Sequence, residues 1–368
     1  MDVRLWACNA LTGAVAGELP PPSGKFTQKF GGGTCDVTVP LGNLRKRGTS
    51  APDWPAVKQV TNLLTTGTRT LALTAGTTVL GEWWLVERPE QIAQGAVNVR
   101  GVEWDGYPAM RSLHASYKYA TATEQLAIAR TLLIDAFRGW QESFQITVPT
   151  QTSGVKREAE WRTREGYYSD ALDEISQPED GFDWRVTLTG TWAGGNLTKV
   201  NRAVRFGHPT IKQATQIKVR HDGPGTRSGN CPTFEQTIDS RNYLHSVYAW
   251  GAGDGAKKLF YEKADNTLAN QGHLKVTRNL SWPNVTRRSA LKALADGVLA
   301  EGQELRDPAK FTLIVDRVPA LPVLGDLVEA QVAPTWTIPD GYTGTLRVGE
   351  VSLPVEAGRV GLIEVGAI

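Results

Sequence analysis

Three glycines at alternate positions are the first residues that could do chemistry. Gly251, Gly253 and Gly255 follow an apolar run in VYAWGAGDGAK, residues 247–257. A glycine-rich loop binds phosphate when a helix begins directly after it, because the helix presents free amides and the positive end of its dipole. Here AKKLFYEKAD follows, which alternates as a strand does, and the Walker spacing GxxxxGK[ST] is absent. The glycines therefore predict a hairpin turn with positive φ, and no nucleotide or other cofactor.

Histidine and cysteine show no metal-ligating pattern. Metal sites place these residues at short fixed spacings such as HExxH or CxxC, and none of these spacings occurs here. The histidines stand alone at His114, His208, His221, His245 and His273. We expect each to be a satisfied polar side chain and expect no metal site. The cysteines, Cys8, Cys35 and Cys231, are too few and too scattered for a disulfide framework, which predicts buried, reduced thiols.

Paired carboxylates could support glycoside hydrolysis, which needs two such groups across a cleft. The candidate pairs are Glu158 with Glu160, Asp173 with Glu174, and Glu179 with Asp180. Each pair lies in a locally charged stretch, where solvated surface carboxylates are expected. The nucleophile elbow GxSxG is also absent, so no acyl-transfer serine can be named. We predict no catalytic residue and therefore no enzyme.

The chain contains 12 tryptophans, an unusual number for 368 residues. Rigid aromatic rings anchor cores or extended interfaces, and they can also stack on sugars. The stretch EWW, Glu82–Trp84, could form such a shelf. Adjacent strand residues face opposite sides of a sheet, so either Trp83 or Trp84 is expected in the core.

Composition limits the classes of partner. The net charge of +2 offers no dense positive surface for nucleic acid. No apolar segment is long enough to span a bilayer, and the start MDVRLWACNALTG lacks the features of a signal peptide. We therefore expect a soluble protein made in a cytoplasm. The 38 glycines and 20 prolines predict many short strands joined by turns.

Period-two patterns fill the first hundred residues, including DVRLWACN, CDVTVPL and TTVLGEWWLVER. One short helix fits DWPAVKQVTNLL, with Asp53 as its N-cap, Pro55 in its first turn, and Val57, Val60 and Leu64 on one face. Strands at this spacing suggest a barrel or sandwich, so residues 1–106 are predicted to form a first β-barrel domain.

Residues 107–212 differ because helical patterns enter. The stretch 121–139 predicts a helix with Thr123 as N-cap and Gly139 as its end. A shorter helix follows, capped by Ser169 or Asp170, carrying Leu172 and Ile175 and ended by Pro178, and then the strand FDWRVTLTG. This order predicts a small α/β insertion domain.

From residue 213 the β pattern returns, interrupted by an amphipathic helix at 286–305 with Leu291, Leu294, Val298 and Leu299 facing inward. The letters show no strict internal repeat. An opening and a closing β region of similar size nevertheless suggest two barrels. We predict a second β-barrel domain from 213–270 and 311–368, and a helical insertion at 271–310. The predicted fold class is mainly β, with an α+β insertion.

The order of several motifs resembles one family over nearly the whole chain. The motifs are NVRGVEWDGYPAMRS, YYSDALDEISQPEDGFDWRV, TIDSRNYLHSVYAWGAGDG, ALADGVLAE before FTLIVD, and LGDLVEAQV. In this order they resemble the baseplate hub or tail-tip hub (minor tail) proteins of long-tailed bacteriophages of the siphophage type. None of these motifs carries chemistry by itself.

The resemblance implies a homotrimer in which two β-barrel domains per subunit alternate around the axis as a pseudo-sixfold ring. It implies a place at the tail tip of the virion, between the distal tail protein and the receptor-binding proteins. The tape-measure protein would end in the lumen, and DNA would only pass through. Some relatives continue into a peptidase or cell-wall hydrolase domain, which is not expected here because the chain stops at Ile368.

Two alternatives remain. The tryptophan excess would also suit a protein that binds carbohydrate on a host surface. The carboxylate pairs leave open a cell-wall hydrolase.

Overall fold

The computed structural model describes most of the chain, and strands dominate it. The described residues are 1–89, 95–138, 144–178, 180–223, 228–237, 243–283, 285–303 and 308–367. The strands are β1 Arg4–Asn9, β2 Val15–Leu19, β3 Ser23–Lys29, β4 Thr34–Pro40, β5 Arg69–Ala75, β6 Thr78–Glu87, β7 Ala96–Glu103, β8 Tyr117–Glu124, β9 Ile146–Thr147, β10 Lys156–Trp161, β11 Asp183–Ala193, β12 Asn196–Gly207, β13 Gln213–His221, β14 Phe234–Gln236, β15 Ser246–Trp250, β16 Phe260–Ala264, β17 Thr277–Ser281, β18 Ala309–Ile314, β19 Asp326–Val332, β20 Tyr342–Val355 and β21 Leu362–Ala367. The α-helices are α1 Trp54–Leu63, α2 Gln125–Ala136, α3 Tyr168–Ser176, α4 Thr267–Asn270 and α5 Arg288–Gln303. The predicted class, mainly β with helical insertions, is confirmed.

Helix α1 follows its predicted signals. The Asp53 carboxylate accepts a hydrogen bond from the Ala56 amide at 3.3 Å, which satisfies one of the free donors of the first turn. Pro55 lies in that turn, where its missing N–H costs nothing. Val60 is buried against the sheet.

The predicted caps of the next two helices are wrong. Thr123 lies in β8, which pairs with β10, so α2 begins later and Glu124 caps it by accepting from the Ala127 amide at 2.8 Å. The predicted helix end at Gly139 lies outside the described residues. In α3 the N-cap is Tyr167, and Asp170 accepts from its amide at 3.0 Å from inside the first turn. Strand pairing therefore overrides the local capping signal in α2.

The opening and closing β regions join in one sheet. In the described part of the chain its path runs β14-β18-β21-β20-β3-β4-β7-β6-β5-β1-β2, and a branch adds β19 and β13 beside β20. The joint is the antiparallel pairing of β3 with β20, from Glu350 opposite Lys29 to Val355 opposite Gly24. The path ends at β2 and β14, so no closed barrel is seen among these strands. We call β1–β7 with α1 the first β unit, and β13, β14 and β18–β21 the second β unit.

The two β units share one strand arrangement. The order β3-β4-β7-β6-β5 in the first unit corresponds to β14-β18-β21-β20-β19 in the second. Both units carry a β-bulge at the same register, between Leu85 and Glu87 in β6 and between Val348 and Glu350 in β20. The two units thus repeat in strand order and pairing register, although their amino-acid sequences show no repeat.

A backbone hydrogen bond just after the matching strands β4 and β18 supports the same correspondence between the two β units. In the first unit the Leu41 amide donates to the carbonyl of Gly95 at 2.8 Å, and in the second the Val315 amide donates to the carbonyl of Gly361 at 3.1 Å. Leu41 and Val315 each follow the corresponding strand, β4 or β18, and the two glycines each precede β7 or β21.

The insertion between the β units has its own core. The hairpin of β11 and β12, the pair β8–β10, and helices α2 and α3 enclose a cluster of buried apolar residues. Strands β15, β16 and β17 form a separate sheet that packs on α5. Strands β15 and β16, which lie in the stretch predicted as part of the second barrel domain, belong to this sheet. The predicted domain limits as a whole stay predictions.

Helix α5 packs as its amphipathic pattern predicts. Leu291, Leu294 and Leu299 are buried against the sheet of β15, β16 and β17, and Val298 is half-buried at its edge. None of the described helices is long and apolar enough to span a membrane.

Candidate functional site

The glycine-rich stretch joins the antiparallel strands β15 and β16, as the hairpin prediction requires. Gly253 and Gly255 have φ angles of 108° and 55°, a region that glycine adopts without strain. Gly251 has no positive φ, but a Cβ there would lie 2.7 Å from the Val285 carbonyl oxygen. A single 3₁₀ turn, Gly255–Lys257, follows, and then β16 begins. The amides of a long helix that would hold a phosphate are not supplied here.

Four of the five histidines each contact a different residue. His221 Nδ1 lies 2.8 Å from the Cys231 carbonyl oxygen, and His245 Nε2 lies 2.7 Å from Asn266 Oδ1. The contacts of the others are a hydrogen bond of His114 with Tyr168, and ring packing of His273 on Tyr243. His208 precedes Pro209. Among the described residues no group of three or more His, Cys, Asp or Glu side chains could hold a metal ion.

Cys8, Cys35 and Cys231 are buried and unbridged, as predicted. Burial raises the pKa of all three thiols, to about 12 for Cys231. A thiol in this environment stays protonated and is a poor nucleophile.

The predicted carboxylate pairs have different surroundings. Glu158 forms an ion pair with Arg287, and Glu160 lies 3.6 Å from Lys118 Nζ. The Asp180 backbone accepts from Gln125 Nε2 at 2.9 Å, while Glu179 lies outside the described residues.

Asp173 and Glu174 line a pocket of about 340 Å³ between α3 and the end of β17, together with Trp161, Tyr167 and Trp282. Glu174 accepts from Trp161 Nε1 at 2.7 Å and is half-buried, so it is not the solvated side chain that we expected. Asp173 is exposed to solvent, and its partial desolvation beside the pocket, together with the charge of Asp170, raises the pKa of its carboxyl to about 6. The other carboxylates among the described lining residues lie in α3 or just before it, and not on a facing element.

The EWW stretch forms core and not a shelf. Trp83 is fully buried, and its Nε1 donates to the Thr27 carbonyl at 3.0 Å, which confirms that one of the two tryptophans faces inward. Trp84 is half-buried and donates to the Gly67 carbonyl at 3.0 Å. A sugar therefore finds no exposed pair of rings at this place.

Glu82 is the centre of a buried ion pair that sequence reasoning missed. Its carboxylate accepts from Arg202 Nη2 at 2.6 Å and from Arg202 Nε at 2.7 Å, and neither side chain is exposed. Thr70 and Trp104 also donate to it, at 2.5 and 3.0 Å. Arg202 donates further to the Ala10 carbonyl at 2.6 Å. Because Glu82 lies in β6 and Arg202 in β12, the pair fixes the insertion to the first β unit.

A second buried charge cluster surrounds Arg185. Glu103 accepts from the Gly33 amide at 2.8 Å, and Asp105 accepts from the Val186 amide at 2.6 Å. Burial, and for Glu103 also the neighbouring Asp105, raises the pKa values of the two carboxyls to about 8 and about 6. Arg185 opposes both shifts.

The third link joins the insertion to the second β unit. Asp183 pairs with Arg347, whose Nε also donates to the Ile211 carbonyl at 3.0 Å. The guanidinium carbon of Arg347 lies 4.6 Å from the ring centroid of Phe30, which belongs to the first β unit. These three clusters hold the insertion against both β units.

A mainly apolar groove opens at one end of the first β unit. It has a volume of about 490 Å³ and lies between α1 and the ends of β4, β6 and β7. Leu41, Leu44, Trp54, Arg88 and Pro89 line it. Trp54 is 66% exposed, which is unusual for so large an apolar side chain. The groove offers a docking surface and not a set of reacting groups.

Solved structures share this architecture over the whole chain. The tail protein from Neisseria meningitidis MC58 superposes with a TM-score of 0.58 at 9% identity, covering 100% of this chain and 96% of that one. The 43 kDa tail protein of prophage MuSo2 from Shewanella oneidensis gives 0.58 at 11% identity, covering 100% and 98%. The chain has the fold of phage tail proteins. No family model matches this sequence, and no curated protein does.

The tail-protein fold includes the two β units and the insertion, because the coverage of these structures is complete or nearly so on both sides. At 9% and 11% sequence identity, shared residues account for little of this structural similarity. The fold resides in strand order and register, as the internal repeat of the two β units also does.

Proposed function

We propose that this chain is a structural component of a phage tail, the hub of the tail tip or baseplate, and that it acts in the virion without catalysing a reaction. The observation that carries the proposal is the repeat of one strand arrangement in two β units of a single chain. Three copies of such a chain supply six similar β units, which is what a part needs to join sixfold tube rings to threefold tip structures.

The remaining parts of the proposal come from the resemblance to tail-tip hub proteins. The hub forms a homotrimer that contacts the distal tail protein on one face and receptor-binding proteins on the other. The tape-measure protein ends in its lumen, and DNA passes through. The near balance of charge, with a net value of +2, suits a channel that does not retain DNA.

Immunogold labelling of virions that carry the protein tests its location. Antibodies against this chain are expected to mark the distal end of the tail. Label on the capsid or along the tail shaft, or no label on the virion at all, would contradict the hub assignment. An antibody against the major tube protein, which marks the shaft, is the control.

One observation supports carbohydrate binding as an alternative function. The pocket formed by Trp161, Tyr167 and Trp282 contains aromatic rings beside carboxylates, an arrangement that can hold hydroxylated rings. Binding of the full chain to a glycan array, abolished in Trp282→Ala and retained in Trp336→Ala, would support it. Trp336 is 95% exposed and does not line this pocket, so it is the matched control.

A further inference from the structure

The internal joint between the two β units shows what such a unit can pair with. Strand β3 of the first unit runs along the C-terminal half of β20 in the second. Thr27 Oγ1 lies 2.9 Å from Ser352 Oγ across this joint, and Lys25 Nζ lies 2.6 Å from Glu364. The Gly358 amide donates to the Pro22 carbonyl at 2.9 Å, which fixes the approach to β3.

The repeat of the two units gives the counterpart of each strand in this joint. Gly24 in β3 and Phe234 in β14 are opposite Val37 in β4 and Phe311 in β18, two equivalent positions. The segment that enters β3 therefore corresponds to the one that enters β14, with a proline two residues before each of these positions. By the same register, Thr27 corresponds to Thr237.

The receiving strands correspond in the same way. The shared bulge equates Glu87 of β6 with Glu350 of β20. Ser352, two residues further along, then corresponds to Pro89. The equivalent of the contact between Thr27 and Ser352 is thus a contact between Thr237 and Pro89.

A single chain does not form this second joint, between Thr237 and Pro89, by itself. In the described structure β14 ends the path of the large sheet and pairs with β18, while β6 lies toward the other end. At the second unit the end of the strands is closed, since Val360 is fully buried and exchanges backbone hydrogen bonds with Met1. At the first unit the equivalent end is the groove with the exposed Trp54. Within one chain, therefore, the receiving strand of the second β unit is paired with β3, while the equivalent place at the first β unit stays open.

We infer that the groove of the first β unit receives the segment Pro232–Glu235 and Thr237 of a second copy of this chain. This inference rests on the ring proposed above and specifies which surfaces close it. The joint between copies then imitates the internal joint, so the two kinds of joint alternate around the ring. Such a head-to-tail contact uses different surfaces on the two copies and closes when the rotation per copy completes a circle.

Charge supports this occupant. Arg45 and Arg88 line the groove, and the entering segment carries the exposed Glu235 at the position that Lys25 occupies in the internal joint. The apolar lining, including Leu41 and Trp54, would be covered by the same contact. Burial of a large exposed aromatic side chain is a common source of affinity at an interface.

Disulfide trapping tests the register directly. A variant with Pro89→Cys and Thr237→Cys is expected to form covalent dimers and trimers on a non-reducing gel after mild oxidation. Each single substitution alone is expected to remain monomeric on the gel. Thr27→Cys with Ser352→Cys is the positive control, because the side chains already touch and the bond should form within one chain. Pro89→Cys with Lys263→Cys is the mismatched control and is expected to give no ladder.

Native mass measurement on the same samples separates the two proposals. A trimer with a ladder supports both. A trimer without a ladder, while the positive control forms its bond, overturns the joint and leaves the ring standing. Monomer at every concentration up to the solubility limit, again without a ladder, counts against both the joint and the proposed ring.

Substitution of Trp54 provides a second measurement. Trp54→Ala is expected to raise the concentration at which the chain assembles by about tenfold or more, with an unchanged Tm because the side chain is mostly exposed. Trp336→Ala is the control for loss of an exposed tryptophan outside the groove. Equal effects of the two substitutions, or an effect of Trp336→Ala alone, would overturn the assignment of the groove.

Discussion

Glu82 and Arg202 form a bidentate ion pair in which neither side chain is exposed to solvent, although 120 residues separate them. Removing one partner of a buried pair leaves an uncompensated charge, which typically costs about 3–5 kcal/mol. We therefore expect Arg202→Met to lower the free energy of unfolding by about this amount. Urea denaturation followed by tryptophan fluorescence measures it.

The double variant Glu82→Leu with Arg202→Met controls for the charge. It leaves no isolated ion, so it is expected to recover part of the loss. Thr70 and Trp104 also lose their acceptor in this variant, so the recovery is incomplete. A single variant as stable as the original chain would show that the pair does not hold the insertion to the first β unit.

Stability should fall as the pH rises through the neutral range. Burial raises the pKa of Glu103 from 4.5 to about 8 and that of Asp105 from 3.8 to about 6 in the folded chain. The folded state then binds more protons than the unfolded state between these values, so the stabilisation is complete below the unfolded pKa and is lost toward the folded one. We expect a higher Tm at pH 5 than at pH 8.

Glu103→Gln keeps the shape and the acceptor for the Gly33 amide while removing the titration. Its Tm is expected to change less between the two pH values than that of the original chain. Asp173→Asn, which removes the other carboxyl whose pKa is raised to about 6, controls for the pocket beside α3. A pH dependence that is unchanged in Glu103→Gln and abolished in Asp173→Asn would refute the role of Glu103.

A glycine with positive φ in the hairpin between β15 and β16 should make the free energy of unfolding sensitive to substitution there. Gly253 has a φ of 108°, so Gly253→Ala forces an alanine into a conformation that costs it roughly 1–2 kcal/mol. Gly361 has no such φ, and a Cβ added to it would meet no atom within 4 Å, so Gly361→Ala is the neutral control. Thermal denaturation compares the two. Tight ATP binding by the original chain, lost in Gly253→Ala, would instead favour a phosphate loop.

The three cysteines should be unreactive while the chain is folded. Burial raises their pKa values, which keeps the thiolate population small, and it also blocks access by reagents. We expect no release of colour from Ellman's reagent at pH 8 in the native state, and three equivalents after unfolding in denaturant. Rapid modification of one thiol in the native chain would show that its surroundings open in solution.

Much of the fold could be predicted where a local pattern decides the outcome. Asp53 and Pro55 mark the start of α1 because capping is local, and the alternation of β6 brings Trp83 inside. Thr123 failed as a cap because pairing of β8 with β10, a contact between distant segments, extends the strand past it.

The interactions that join the parts of the molecule could not be predicted in this way. Nothing near Glu82 in sequence identifies Arg202 as its partner, although a glutamate in a buried strand signals that some cation must reach it. Two β regions of similar size could be predicted, but not the register of their repeat, because the equivalence of Leu85 with Val348 lies in the position of a bulge and not in residue identity.

Single-particle imaging of the purified full chain, with its native mass, shows whether three copies of the chain form the proposed ring. We expect a particle of three copies whose class averages show a hollow ring of six similar β units. A particle of one copy at the highest attainable concentration, or a closed assembly without alternating β units, would contradict it.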